Sequence, residues 1–173
     1  MKKDKNNSAP LIEKKDRKKW CAFWLGVIVV TLCMKIFLCP VSVIGLSMSP
    51  TYRDGEVLFS NRFYKEITRN QIVTVKLPYE TAKKYKIPRS LIKRVVAVPG
   101  DTIEIKDNRI LVNGEEINKN ADSTRGGILE DHKIILNDNE YFLIGDNINC
   151  SVDSRIFGPV SIDNIRSVII KQK

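Results

Sequence analysis

Two kinds of hydrophobic pattern divide this chain. From Trp20 to Met34 the residues run Trp-Cys-Ala-Phe-Trp-Leu-Gly-Val-Ile-Val-Val-Thr-Leu-Cys-Met without a charge and without a polar face at helical spacing. Lys35 interrupts, and Ile36-Phe37-Leu38-Cys39-Pro40-Val41 continues the apolar trend. A membrane span needs about 20 such residues. Counted from Trp20, Lys35 lies about 23 Å along a helix axis, where a long amine reaches the far interface. Proline then ends the helix. The pattern therefore predicts a span over residues 20–40. A buried core helix would show a polar side, and a cleaved leader would show a small-x-small cut site. Neither is found here.

Beyond residue 40 the pattern shortens to β-branched runs bounded by turn residues. Glu56–Ser60, Gln71–Lys76, Ser90–Val98, Thr102–Lys106, Arg109–Val112, Tyr141–Ile144 and Ser167–Ile170 read as strands. Asp107-Asn108 and Asn113-Gly114 read as tight turns, Tyr79–Tyr85 as one short helix, and 118–131 as a flexible polar excursion. The expected fold is mainly β: an antiparallel domain over 41–173, built as packed sheets or a partly open barrel, on a single amino-terminal transmembrane helix.

Charge fixes the orientation. The chain of 173 residues has a net charge of +9, and residues 1–19 hold eight Lys or Arg against three acids. Such a tail is expected to be disordered. Basic residues ahead of a span, with only Lys35 on its other flank before Arg53, keep the amino terminus in the cytoplasm and the β domain outside. The same tail could suit nucleic acid, but the span that follows favours a lipid bilayer as partner and no nucleic acid. Cys21, Cys33 and Cys39 fall in or beside the span, so Cys150 has no partner within the exterior domain.

Three segments carry candidate chemistry. Gly45-Leu46-Ser47-Met48-Ser49-Pro50-Thr51-Tyr52 places two serines in a bend bounded by Gly and Pro. A serine nucleophile needs a base, and the single histidine, His132, lies in a charged stretch. A lysine is the other option. Lys93, in Leu91-Ile92-Lys93-Arg94-Val95-Val96-Ala97-Val98, would share a strand face with Leu91, Val95 and Ala97. Desolvation there would lower its pKa and leave a neutral amine. Arg94 shares an equally apolar face, so spacing alone leaves open a solvent-facing Lys93; only the lysine could act as a base. The third segment, Gly145 to Gly158, follows a strand and is dense in hydrogen-bonding groups, which alone suits a self-capped loop.

Together the segments resemble type I signal peptidases, the membrane-bound serine–lysine proteases of peptidase family S26. The resemblance rests on Ser47-Met48-Ser49-Pro50-Thr51, on Lys93-Arg94 with Pro99-Gly100-Asp101, and on Gly145-Asp146-Asn147 followed by Ser151, Asp153, Ser154 and Arg155, in the family's order after one amino-terminal span. It covers residues 20–173. It implies Ser47 as nucleophile, Lys93 as general base and Ser151 as the group orienting the amine. Asp153 with Arg155, and Asp146 with Arg94, would be supporting ion pairs. The Ser47 N–H would be one oxyanion donor; some members supply a second from a serine where this chain has Gly45. Small side chains one and three residues before the cut would sit against Met48, Val43 and Ile92. Three departures stand out: Arg69-Asn70-Gln71 replaces the usual Gly-Asp before a strand, Ile148 and Cys150 replace polar residues, and the insertion of larger members shrinks to 118–131.

The implied activity is removal of signal peptides from secretory precursors at the outer face of the cell membrane. No metal cluster or phosphate-cradling loop is present in the sequence, so no cofactor is expected. A peptidase dedicated to a few substrates and a catalytically silent membrane adaptor are the alternatives. A related fold in self-cleaving repressors is disfavoured, because a span replaces their helical DNA-binding half.

Overall fold

The computed structural model describes residues 14–37, 39–106, 109–117 and 131–170. The basic tail up to residue 13, the turn at 107–108 and the excursion at 118–130 lie outside them. The chain divides into two compact units, Met1–Phe37 and Leu38–Lys173.

The first unit is helix α1 (Lys14–Phe37). Its side chains are described over 17–32, and every one of them is exposed. Thr31 turns its hydroxyl back onto the Val27 and Ile28 carbonyls, each at 2.9 Å, so its polar group is satisfied within the helix. Among the described residues no helix is long and apolar enough to cross a membrane.

Among its described residues the second unit has eleven strands: β1 (Cys39–Ser42), β2 (Val57–Asn61), β3 (Ile72–Lys76), β4 (Ser90–Ala97), β5 (Thr102–Lys106), β6 (Arg109–Val112), β7 (Glu115–Glu116), β8 (His132–Ile135), β9 (Glu140–Ile144), β10 (Val160–Ser161) and β11 (Ile165–Ile169). Helix α2 (Tyr79–Tyr85) links β3 to β4, and α3 (Ser154–Phe157) follows β9. All pairings are antiparallel. One sheet has seven strands in the order β1-β2-β11-β3-β4-β9-β10; the other has four, in the order β7-β6-β5-β8. Neither sheet closes on itself, so of the two architectures expected from sequence the packed sheets hold and the barrel does not. The reason lies at the edges. β10 is two residues long, and Pro40 in β1 lacks an N–H for a further ladder.

Local chemistry explains the turns. Asn113 (φ 52°) and Gly114 (φ 84°) take the left-handed conformations of a type I′ hairpin between β6 and β7. Lys86 closes α2 in the left-handed region, its N–H on the Lys83 carbonyl, and Pro88 prevents continuation. Among the described residues three apolar clusters form the core of the domain. Val73, Val75, Val95 and Leu143 pack among the central strands; Ala97 and Phe142 join Ile103, Ile105 and Ile110 of the smaller sheet. Val43, Met48, Tyr52, Leu58, Ile72 and Ile169 form the third. That last cluster anchors the Ser47 bend, since Met48 and Tyr52 are each 1% exposed. Burial of side chains this size contributes about 1.5–3 kcal/mol apiece.

Candidate active site

The Ser47 bend grows out of β1 and folds back on itself. Gly45 takes φ +87°, which a side chain would strain. The Ser49 N–H donates to the Leu46 carbonyl at 3.1 Å and the Tyr52 N–H to Met48 at 2.9 Å, making one helix-like turn. Ser47 stays half-buried on it, while Met48 plugs the third core cluster. Asp54 accepts the Gly45 N–H at 2.7 Å. That donor is therefore already committed, which bears on the oxyanion question raised by a glycine at this position.

Lys93 resolves the ambiguity of β4. It is 2% exposed, and its Nζ donates to the Ser151 hydroxyl at 2.9 Å. Arg94, on the opposite face, finds the polar surroundings: Nε and an Nη hold Asp146 at 2.7 and 2.6 Å, and the other Nη reaches the Asn70 carbonyl at 2.8 Å. Its pKa is raised by the Asp146 hydrogen bond against the opposing effect of burial. Desolvation pulls the Lys93 amine down to about 8; Asp153 and Asp146 oppose that shift and Arg155 reinforces it. Near neutral pH a minor but usable fraction of Lys93 is therefore uncharged.

The segment after β9 is a clamp. Asp153 is fully buried and accepts the Gly145 N–H at 3.1 Å together with the Arg155 Nε at 2.7 Å. Arg155 spends its remaining reach on the carbonyls of Ile148 (2.9 Å) and Ser151 (3.0 Å), so it staples the turn that carries Ser151. Ser154 accepts the Leu143 N–H of β9 at 3.0 Å. Gly145 is where the segments meet. A Cβ built there would stand 2.6 Å from the Ser47 carbonyl oxygen and 2.7 Å from Ser151 Cβ. The Asn147 N–H also donates to that Ser47 carbonyl at 3.0 Å.

Ser47 and Lys93 line one cleft of about 330 Å³, with Val43, Met48, Ile92 and Cys150 among its other walls. Ser151 lies behind Lys93 as its hydrogen-bond partner, and Asp146, Asp153 and Arg155 brace the site from outside the cleft. His132 sits exposed on β8 of the smaller sheet and does not line this cleft.

One pair escaped sequence reasoning. Arg69 holds Asp101 through two hydrogen bonds, and Asp101 also accepts from the Val98 N–H and from Asn113. Burial pushes the Asp101 carboxyl up, but Arg69, Val98 and Asn113 together hold it below the usual range. Pro99-Gly100-Asp101 enters the sequence reading only through the family resemblance, and nothing in the sequence ties Asp101 to Arg69. The Arg69-Asn70-Gln71 departure is accommodated in the same place. Asn70 adopts φ 69°, which asparagine tolerates better than most residues, and its N–H donates to the Val95 carbonyl at 2.7 Å.

The family model for signal peptidase, peptidase S26, matches residues 17–170. The chain belongs to that family. It is 35% identical to a signal peptidase I V of Bacillus subtilis (strain 168), over 88% of this chain and 97% of that protein. It is 32% identical to a signal peptidase I P of Bacillus subtilis subsp. natto, over 84% of each. Among solved structures, a signal peptidase I from Enterococcus faecalis V583 is 24% identical, covers 60% of this chain and 97% of that one, and gives a TM-score of 0.44. The chain is thus a serine endopeptidase of the kind that removes signal peptides, in a membrane-associated family whose mechanism is a Ser/Lys dyad.

Proposed function

We propose that Ser47 is the nucleophile and Lys93 the general base of this peptidase, acting on secretory precursors at the outer face of the cell membrane. The observation that carries this reading is a lysine buried to 2% exposure, held on Ser151, in the cleft that Ser47 lines. Neutral Lys93 takes the Ser47 proton as Oγ attacks the scissile carbonyl. The ammonium then protonates the departing amine, leaving an ester on Ser47. Lys93 next deprotonates a water that attacks the ester, and Ser47 recovers its proton. The Ser47 N–H supplies one oxyanion donor. The Gly45 N–H is held by Asp54, so any second donor must come from elsewhere.

The substrate would enter as an added strand. β9 pairs with β4 at Arg94, Val95 and Ala97, so among the described residues the Ser90–Lys93 half of β4 has a ladder only toward β3. Small residues one and three positions before the cut would fit between Met48, Val43 and Ile92.

Residues 20–40 would anchor the enzyme as a single span with its amino terminus in the cytoplasm. The uncharged run Trp20–Met34, the exposed apolar sides of α1 and the positive tail support this topology. So does an exposed apolar strip on the second unit, made by Val57 and Phe59 of β2 with Ile44, Leu46 and Ile170. Cutting of a precursor by protein in detergent tests the site. Ser47→Ala and Lys93→Ala should each abolish cleavage while the fold persists, and His132→Ala should leave it nearly intact. Normal cleavage by either of the first two variants would refute the dyad.

A further inference from the structure

The cleft is neutral along most of its length and cationic beyond one end. The wall from Val41 to Met48, with Cys150 and Val152 opposite, contributes no charged side chain. At the Ser90 end the surroundings change. Lys76 stands directly opposite Ser90 in the β3–β4 register and shares a strand face with Thr74, and both Ser90 and Thr74 line the cleft. Lys86 and Arg89 flank Ile87 and Pro88, which line it too. All three cations are exposed, and none has an ion-pair partner among the described residues. Arg89 is steadied by its Nε on the Leu77 carbonyl at 3.2 Å. Lys83 and Lys84 of α2, each over a tyrosine ring, add positive charge to the same stretch of chain, and Glu80 is the sole acid between Lys76 and Arg89.

An uncompensated cluster of this kind at the mouth of a peptide groove calls for an anion from the peptide. We propose that this cationic rim selects precursors carrying an acidic side chain four to six residues before the cut. The proposal rests on the reading above, in which the residues just before the cut lie between Val43 and Ile92. With the cut beside Ser47 and Lys93, each residue along an added strand advances about 3.3 Å. Ser90 is three strand positions from Lys93, so the fourth residue before the cut reaches it, and the long side chains of Lys76, Lys86 and Arg89 extend the field past it. Such steering acts on discrimination and association rate, and salt screens it.

Full-length protein in detergent, given precursors that differ only in Asp, Asn or Lys at the fifth residue before the cut, tests this, with the fourth and sixth positions scanned alongside. The expected order of kcat/KM is Asp, then Asn, then Lys, with about three- to tenfold between the extremes at low salt and compression at high salt. The triple variant Lys76→Glu, Lys86→Glu, Arg89→Glu should reverse that order, and Lys76→Gln alone should narrow it. Rates within twofold of one another at all three positions, or an Asp preference that survives the triple variant, would overturn the proposal. So would a triple variant that loses binding to phosphatidylglycerol vesicles with its precursor order unchanged, since the rim would then serve lipid. Failure of the dyad looks different: the Ser47→Ala protein would go on cutting the whole series.

Discussion

At the scale of single residues, Lys93 makes stability and activity pull in opposite directions. Its amine sits at about 8 in the folded protein against 10.5 for an ordinary lysine. Below about pH 8 both folded and unfolded chains hold the proton, and the fold bears the full cost of a buried cation. Between about 8 and 10.5 only the unfolded chain holds it, so stability rises with pH across that window. The displacement corresponds to about 3 kcal/mol. Lys93→Met, which keeps the volume and drops the charge, should therefore stabilise the protein at pH 7 in urea unfolding, lose that advantage near pH 10.5, and have no activity. In the native enzyme log kcat/KM should climb with unit slope and level off near pH 8; a profile flat from pH 6 to 9 would exclude this lysine as the base. Gly145 is constrained differently. A methyl group there meets the backbone oxygen of Ser47, which cannot swing aside, and Ser151, which can. Gly145→Ala should cost kcat at least a hundredfold by pushing Ser151 off Lys93, and should lower Tm as well, because the Ser47 carbonyl must also give way.

At the scale of elements, the segment from β9 through α3 holds the site by its backbone. Arg155 does more than balance Asp153, for it binds two carbonyls of the turn bearing Ser151. A lysine keeps the charge but not the fork. Arg155→Lys should accordingly lower kcat about ten- to a hundredfold with KM nearly unchanged, and should shift the alkaline plateau, because Ser151 no longer holds the amine in one place. An unchanged pH profile would reduce Arg155 to a purely structural brace. How legible these elements were follows from what each buries. β2, β3, β5 and β9 alternate or run apolar and were readable. β1 was not, because Pro40 reads as the end of a helix; it is tolerated in a strand only since β1 is an edge. β8 hides for a related reason: of His132–Ile135 only Ile134 is even half-buried. Lys93 and Arg94 could not be told apart from β4 alone. What separates them is Ser151 against Asp146, both supplied by a segment more than fifty residues away.

At the scale of the whole molecule, the second unit has its own cores and its own apolar rim, which separates two contributions to membrane binding that a single anchor would merge. Val57 and Phe59 face outward on β2 beside buried Leu58 and Ser60, opposite Ser42 and Pro40 of the edge strand. In water these side chains gain nothing by exposure. In the lipid interface each would recover about 1.5–3 kcal/mol if fully buried. Protein lacking residues 1–37 should consequently still fold, since the remaining unit, Leu38–Lys173, is compact by itself. It should also still partition onto vesicles, weakly and reversibly. Val57→Asp with Phe59→Asp should lower that partitioning at least tenfold while leaving cleavage of a short peptide in solution unchanged, because neither residue lines the cleft. In the full-length enzyme the same pair should leave membrane attachment intact and slow only the cutting of membrane-inserted precursors. There the span proposed for residues 20–40 would supply attachment, and the apolar rim would decide only how closely the cleft lies against the bilayer from which its substrate emerges. Equal partitioning of the truncated protein with and without the two aspartates would assign that role to the span alone.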